Sequence, residues 1–164
     1  MLVDHFLLSR NDWVPNNPRL PVIVYRGVSG EGGTLDEAFA ARFAENGWQG
    51  IWRNGIYDYH HYHTMAHEVL GIARGLATVM LGGPGGRELD VLAGDCLILP
   101  AGTGHCRIRA SADFLVIGAY PPGQDPDLRT DAPGDAGLHY IETLPLPATD
   151  PLGGEALTKL WIDE

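Results

Sequence analysis

Between Trp48 and Tyr120 the apolar residues alternate or come in runs of four to six, and glycine-rich turns cut the runs apart. Segments this short are poor material for helices, whose nucleation needs longer stretches, but they suit strands. IWRNGIYDYHHYH reads as one strand reaching residue 63. EVLGIARG and LATVML, within 68–81, read as a hairpin pair. GGPGGR is a loop, ELDVL a strand, AGD a turn, CLILP (96–100) a strand and AGTG another turn. HCRIRA and FLVIGAY complete the series at residue 120. Many short strands joined by turns, with no helix between them, indicate an all-β fold, a sandwich or a barrel.

The flanks differ. VDHFLL reads as an edge strand, and the proline-rich PNNPRLP after it as an extended loop. VIVYRGV, at 22–28, is β-branched and aromatic, hence a strand. Thr34 with Glu37 three residues on is a capping box, and Leu35, Ala38, Phe39 and Phe43 form one apolar helical face. Asn46-Gly47 closes that short N-terminal helix, the one helix expected. Residues 121–137 are polar and rich in proline and glycine, a long surface loop. HYIETLPLP reads as an edge segment, and the LTKLWIDE tail packs on its own chain or on a second copy. The expected organisation is a single domain over 1–164. It comprises an arm and helix at 1–47, a barrel core at about 48–120, and a loop and tail at 121–164.

At 164 residues and 45% hydrophobic content the chain can bury one core. Its net charge of −10, with no basic tract, argues against nucleic acid or an anionic membrane as partner. No apolar run approaches the roughly 20 residues of a membrane span. The N-terminus lacks the basic start of a signal peptide. Cys96 and Cys106 are not in C-x-x-C spacing, which points to reduced, buried thiols and a cytoplasmic setting.

Four of the seven histidines, His60, His61, His63 and His67, lie within eight residues, and Glu68 follows. On a strand, His61 and His63 face the same way, with Tyr57 and Tyr59, while His60 and Tyr62 face the other. Glu68 is an odd number of residues past His63, so a straight strand would aim it wrongly. A turn at Thr64-Met65-Ala66 lets a new strand begin with Glu68 inward and His67 outward. His105 follows another turn and can be aimed at the same point. Imidazole nitrogen and carboxylate oxygen suit one divalent transition metal per chain: Fe, Mn, Ni, Zn or Cu. Four protein ligands on a six-coordinate ion leave two positions for a substrate or O₂. The plain alternative is a metal-free cluster of histidines, weakened by their density. A helical His63/His67 pair is disfavoured because the H-E-x-x-H pattern fails at Gly71.

These residues resemble the two motifs of the cupin superfamily. G-x5-H-x-H-x4-E-x6-G is met by Gly55, His61, His63, Glu68 and Gly75. G-x5-P-x-G-x2-H-x3-N is met by Gly94, Pro100, Gly102 and His105, with Arg109 where asparagine is usual. PNNPRLPV, NGWQGIWRNGIY and GAYPPGQ are also similar to small bacterial single-domain cupins of the YjlB type. The resemblance implies a jelly-roll β-barrel with His61, His63, Glu68 and His105 as metal ligands. Asparagine is not a ligand in the family, so Arg109 leaves that set intact. The resemblance also implies a homodimer paired through edge strands.

Arg107 and Arg109 alternate with His105, so all three are expected to face the interior. A guanidinium there would grip a carboxylate or phosphate of a substrate, or pair with a rim carboxylate; the ion pair is the preferred reading. Tyr57 and Tyr59 would donate to a bound ligand, or simply pack, which is preferred. GGPGGR lacks the GK[ST] ending of a phosphate loop. The functional reading is a metal-dependent enzyme, of oxygenase or isomerase type, acting on a small polar or anionic organic molecule. Its alternative is a metal-containing cupin that binds or senses a metabolite without turnover. A metal-free epimerase-like protein fits least, because that chemistry does not need the whole ligand set.

Overall fold

Among residues 1–162, which the computed structural model describes, nine strands form two antiparallel sheets. In chain order they are β1 (Leu2–Phe6), β2 (Val22–Arg26), β3 (Gln49–Asn54), β4 (Glu68–Arg74), β5 (Leu76–Leu81), β6 (Arg87–Leu92), β7 (Cys96–Leu99), β8 (His105–Ala110) and β9 (Leu115–Tyr120). The larger sheet has the order β1-β2-β7-β4-β9-β3 and the smaller β6-β5-β8. The described residues are mostly β, in antiparallel sheets, as expected.

The larger sheet is covered on both faces. Val22, Val24, Leu70, Ile72, Leu97, Leu99 and Val116 meet Ala77, Val79, Leu81 and Val91 of the smaller sheet. On the opposite face, Ile23, Tyr25, Val69, Ile98 and Ile117 lie under Phe39 and Phe43 of helix α1 (Leu35–Glu45), with Trp48, Leu157 and Trp161. This double burial is why β4 and β7 read as unbroken apolar runs. Burying each large side chain contributes roughly 1.5–3 kcal/mol. At Gly71 of β4 the Phe39 ring comes so close that a Cβ would lie 2.6 Å from it.

Three local expectations need correction. The strand expected through residue 63 ends at Asn54. β3 pairs with β9 in the larger sheet, whereas His61 bridges to β8 in the smaller one. A chain crossing between sheets cannot stay in one ladder. The capping box does not form: Thr34 occupies the N-cap position without a side-chain cap bond. Its hydroxyl instead turns to Asp36, which pairs with Arg53 at 2.8 Å. A second helix, α2 (Gly134–Thr143), replaces the end of the expected loop and the start of the expected edge segment. It buries only Gly137 and Ile141, so its sequence carries a thin apolar stripe. Cys96 and Cys106 are free and buried as expected.

The C-terminal segment is anchored on its own chain. The Tyr25 hydroxyl donates to Asp150 at 2.6 Å, and the same carboxylate accepts from the Leu152 and Leu157 amides. Trp161 Nε1 donates to the Pro21 carbonyl at 2.9 Å. Asp163 and Glu164, the end of the expected tail, lie outside the described residues. No helix among the described residues is long and apolar enough to cross a membrane.

Candidate metal centre

The crossing segment joins the two sheets at one point. His61 and His105 exchange backbone hydrogen bonds, with the His61 N–H donating at 3.2 Å and the His105 N–H at 2.9 Å. His63, two residues on, shares the side of His61, and its carbonyl accepts from the Gly102 N–H at 2.7 Å. The turn needed before Glu68 is present. The Asp127 carboxylate closes it, accepting from the Thr64 amide at 2.8 Å, the Thr64 hydroxyl at 2.5 Å and the Met65 amide at 3.0 Å. Glu68 then opens β4 as a buried residue.

The result is a convergent donor set. One potential ligand atom from each of His61, His63 and His105 lies within 4.8 Å of the others, a group that could hold a metal ion. Glu68 Oε1 lies 3.2 Å from His105 Nε2 and 3.5 Å from His63 Nε2. Ligand bonds of about 2.1 Å at right angles would put neighbouring donor atoms about 3 Å apart, and the contacts of Glu68 with His63 and His105 match that spacing.

The outer nitrogens decide which lone pairs point inward. His61 Nδ1 contacts the Tyr59 carbonyl and His105 Nδ1 the Thr103 carbonyl, each at 2.9 Å; His63 Nδ1 contacts the Asp127 carbonyl. A carbonyl only accepts, so each Nδ1 carries a proton, and when the ring is neutral its Nε2 lone pair turns into the site. Glu68 Oε1 is buried there and has no hydrogen-bond partner. Inward lone pairs facing a carboxylate oxygen repel one another unless a cation or proton lies between them.

The rings titrate differently. Burial, then the neighbouring His105, pushes His61 down to about 3, so its ring stays neutral near pH 7. Burial works to lower His63 too, but the Glu68 carboxylate outweighs it and raises the ring. For Glu68, burial alone would raise the carboxyl; His63 and His105 reverse this and hold it below the usual range.

The other histidines stay out of the cluster. His67 was expected to point into solvent and is instead buried. The face of the larger sheet opposite the metal site is a second core, where its ring packs 4.9 Å from Trp161 and its Nδ1 accepts from the Ala101 N–H at 2.9 Å. Tyr62, on the side away from the ligands, is likewise buried, and its hydroxyl donates to the Asp131 carbonyl. His60 is half-buried.

A cavity of about 540 Å³ opens onto the three histidines and Glu68. Tyr57 and Arg107 line it, and Arg107 lies 3.8 Å from Asp58 at the exposed mouth. Tyr59 and Arg109 do not line it. Tyr59 stacks on Tyr57 with ring centroids 5.0 Å apart and serves the site through its carbonyl. Arg109 is exposed: Arg107 pairs with Val79 and Arg109 with Thr78, so Ile108 is an extra residue that breaks the alternation.

Three lining residues escaped sequence reasoning. Trp52 Nε1 donates to the Tyr120 hydroxyl at 2.9 Å, and burial, then the adjacent Glu68 carboxylate, pushes that phenol up. Asp127 belongs to the 121–137 segment, which borders the cavity with Pro126 and Leu128. The cross-strand register would have found Tyr120, but register is not written in β4 or β9 alone. For Asp127 the sequence offers no signal beyond its proline-rich surroundings.

No family model matches the chain. It is 37% identical over 153 residues to the uncharacterised protein YjlB of Bacillus subtilis (strain 168), covering 91% of this chain and 90% of that protein. Among solved structures it is similar to procruciferin, an 11S globulin from Brassica napus, at 18% identity and a TM-score of 0.42, covering 70% of this chain and 28% of that one. It is also similar to acireductone dioxygenase from Bacillus anthracis, solved with a cadmium ion in its active centre, at 13% identity and a TM-score of 0.41, covering 77% and 82%. These structural likenesses are distant, and nothing about the chemistry of this chain rests on them.

Proposed function

The chain belongs to the family of the Bacillus subtilis protein YjlB, and from that premise we propose that it is a cupin and a metal-dependent enzyme acting on a small polar or anionic organic molecule. His61, His63, His105 and Glu68 hold one divalent transition metal. The observation that carries this reading is the convergence of the donors: each Nδ1 of His61, His63 and His105 meets a carbonyl on its outer side, and one potential ligand atom of each ring gathers beside the buried Glu68 carboxylate. Carbonyl partners of this kind fix the tautomer and ring plane of metal-binding histidines.

When bound, a metal of this class supplies Lewis acidity toward a substrate oxygen and, if redox-active, a site for O₂. The chain's own residues do the rest. Glu68 offsets cationic charge in a buried place. Arg107 at the mouth binds an anionic group of the substrate, gripping two oxygens at once. Ile56, Leu70 and Leu128 line the cavity and exclude water from part of it. The reaction is of oxygenase or isomerase type.

In the same reading the two sheets are the walls of a jelly-roll barrel within one domain. The buried free thiols suit a reducing cytoplasm. The exposed edge strand β1, with Leu2 and Val3 open to solvent, suits pairing with a second copy.

The test is metal content by mass spectrometry on protein purified without a metal-binding tag, followed by oxygen-uptake assays with small acids and diols after anaerobic Fe(II) loading. About one metal per chain is expected. Absence of metal even after loading would overturn the reading. Oxygen uptake would select the oxygenase branch, and its absence in a metal-loaded protein would favour the isomerase branch or metabolite binding without turnover.

A further inference from the structure

Trp52 and Tyr120 form an arrangement that points at one ligand. An indole N–H can only donate, so its contact with Tyr120 occupies a lone pair of the phenol oxygen and leaves the phenol O–H free to donate elsewhere. The Glu68 carboxylate lies beside that phenol in the cavity. The register explains why. Val69 pairs with Ala119, so one step further along the antiparallel ladder sets Glu68 against Tyr120.

The backbone is shaped to hold this pair. β3 bulges between Gln49 and Trp52. Gly50, inside the bulge, has φ +65°, and a Cβ there would come 3.1 Å from the Tyr120 ring. Gly118 pairs with Trp52, and a Cβ on it would fall 2.0 Å from the indole. A bulge and two glycines thus lay the indole flat across β9, with its N–H meeting the phenol oxygen. Apolar packing alone would not require that polar alignment.

We propose that Tyr120 is a positioning residue of the metal centre: its phenol O–H donates to the Glu68 carboxylate, and Trp52 holds the phenol in that direction. The inference rests on the metal reading above. A donor on the outer side of a carboxylate fixes its orientation and keeps it bound through one oxygen. Without that donor, Glu68 can rotate or bind through both oxygens, which changes the coordination of the ion. Loss of such supporting partners commonly weakens metal affinity about 10–100-fold.

Co(II) alone is the probe, titrated into chelator-stripped protein with affinity read by chelator competition and coordination by the visible d–d band. Tyr120→Phe removes only the hydroxyl. It should weaken Co(II) binding by about 10–100-fold and alter the band, while far-UV circular dichroism shows the metal-free fold unchanged. Trp52→Phe keeps the phenol but frees its direction, and should move affinity and band the same way by a smaller amount. Unchanged affinity and an unchanged band in Tyr120→Phe would overturn the positioning role while leaving the metal site standing. Failure of the unaltered protein to bind Co(II) would overturn the metal reading, and this inference with it.

Discussion

His61 and His105 are locked to each other twice, by a reciprocal pair of backbone hydrogen bonds and by rings whose centroids lie 4.0 Å apart. The bridge brings a segment leaving the edge of one sheet against the first residue of β8 in the other. Because the backbone makes the bridge, the imidazoles are free to serve the site.

His105→Ala should therefore keep the fold and lose the metal. The backbone pair with His61 survives the substitution, so far-UV circular dichroism should be unchanged. Metal per chain by mass spectrometry should fall to background after loading and desalting. Full metal retention would remove His105 from the ligand set.

Asp127→Ala tests whether the 121–137 segment orients His63. The substitution removes all three hydrogen bonds that close the Thr64–Met65 turn, and it loosens the carbonyl that meets His63 Nδ1. Metal affinity should drop by about 10–100-fold, as for other residues that support a ligand. Chelator competition measures it. An affinity equal to that of the unaltered protein would mean that the turn holds His63 without help.

Much of this architecture is legible in the sequence where one physical cause acts alone. β4, β7 and β9 are found because burial on both faces leaves unbroken apolar runs. His61 and His63 share a side because alternation survives locally, even though the long strand expected around them does not exist. Legibility ends where a second element decides. Arg109 leaves the cavity through a bulge set by the pairing of β8 with β5. His67 is buried because the C-terminal segment supplies a core on the face where solvent was expected. Tyr120 meets Glu68 through a register that neither strand encodes by itself. α2 buries too little for its period to show.

Gly118→Ala should cost stability more than its single methyl suggests. The new Cβ would overlap the Trp52 indole, which cannot shift without giving up its bond to the Tyr120 hydroxyl. Forcing a methyl into a packed site typically costs about 1–3 kcal/mol. Thermal denaturation of the metal-free protein should show a melting point lower by several degrees. An unchanged melting point would mean that the indole has room to move and that its placement is not enforced.

The buried His67 should make the metal-free protein acid-sensitive. Its ring is neutral in the fold, with Nδ1 accepting from Ala101, and burial pushes it down to about 4. The unfolded chain takes up this proton near pH 6.5, the folded chain only near 4, so between those values the unfolded state binds more protons. Stability is then fully present above about pH 6.5 and is lost as pH falls toward 4, by about 3 kcal/mol from this residue. His61, also held neutral, adds loss in the same direction in the metal-free form. The comparison that isolates His67 is His67→Asn, whose side-chain oxygen can still accept from Ala101 but does not titrate. Urea unfolding at a series of pH values from 7 to 4 should give a shallower decline for His67→Asn than for the unaltered protein. Parallel declines would mean that His67 takes up its proton in the folded state as readily as in the unfolded one.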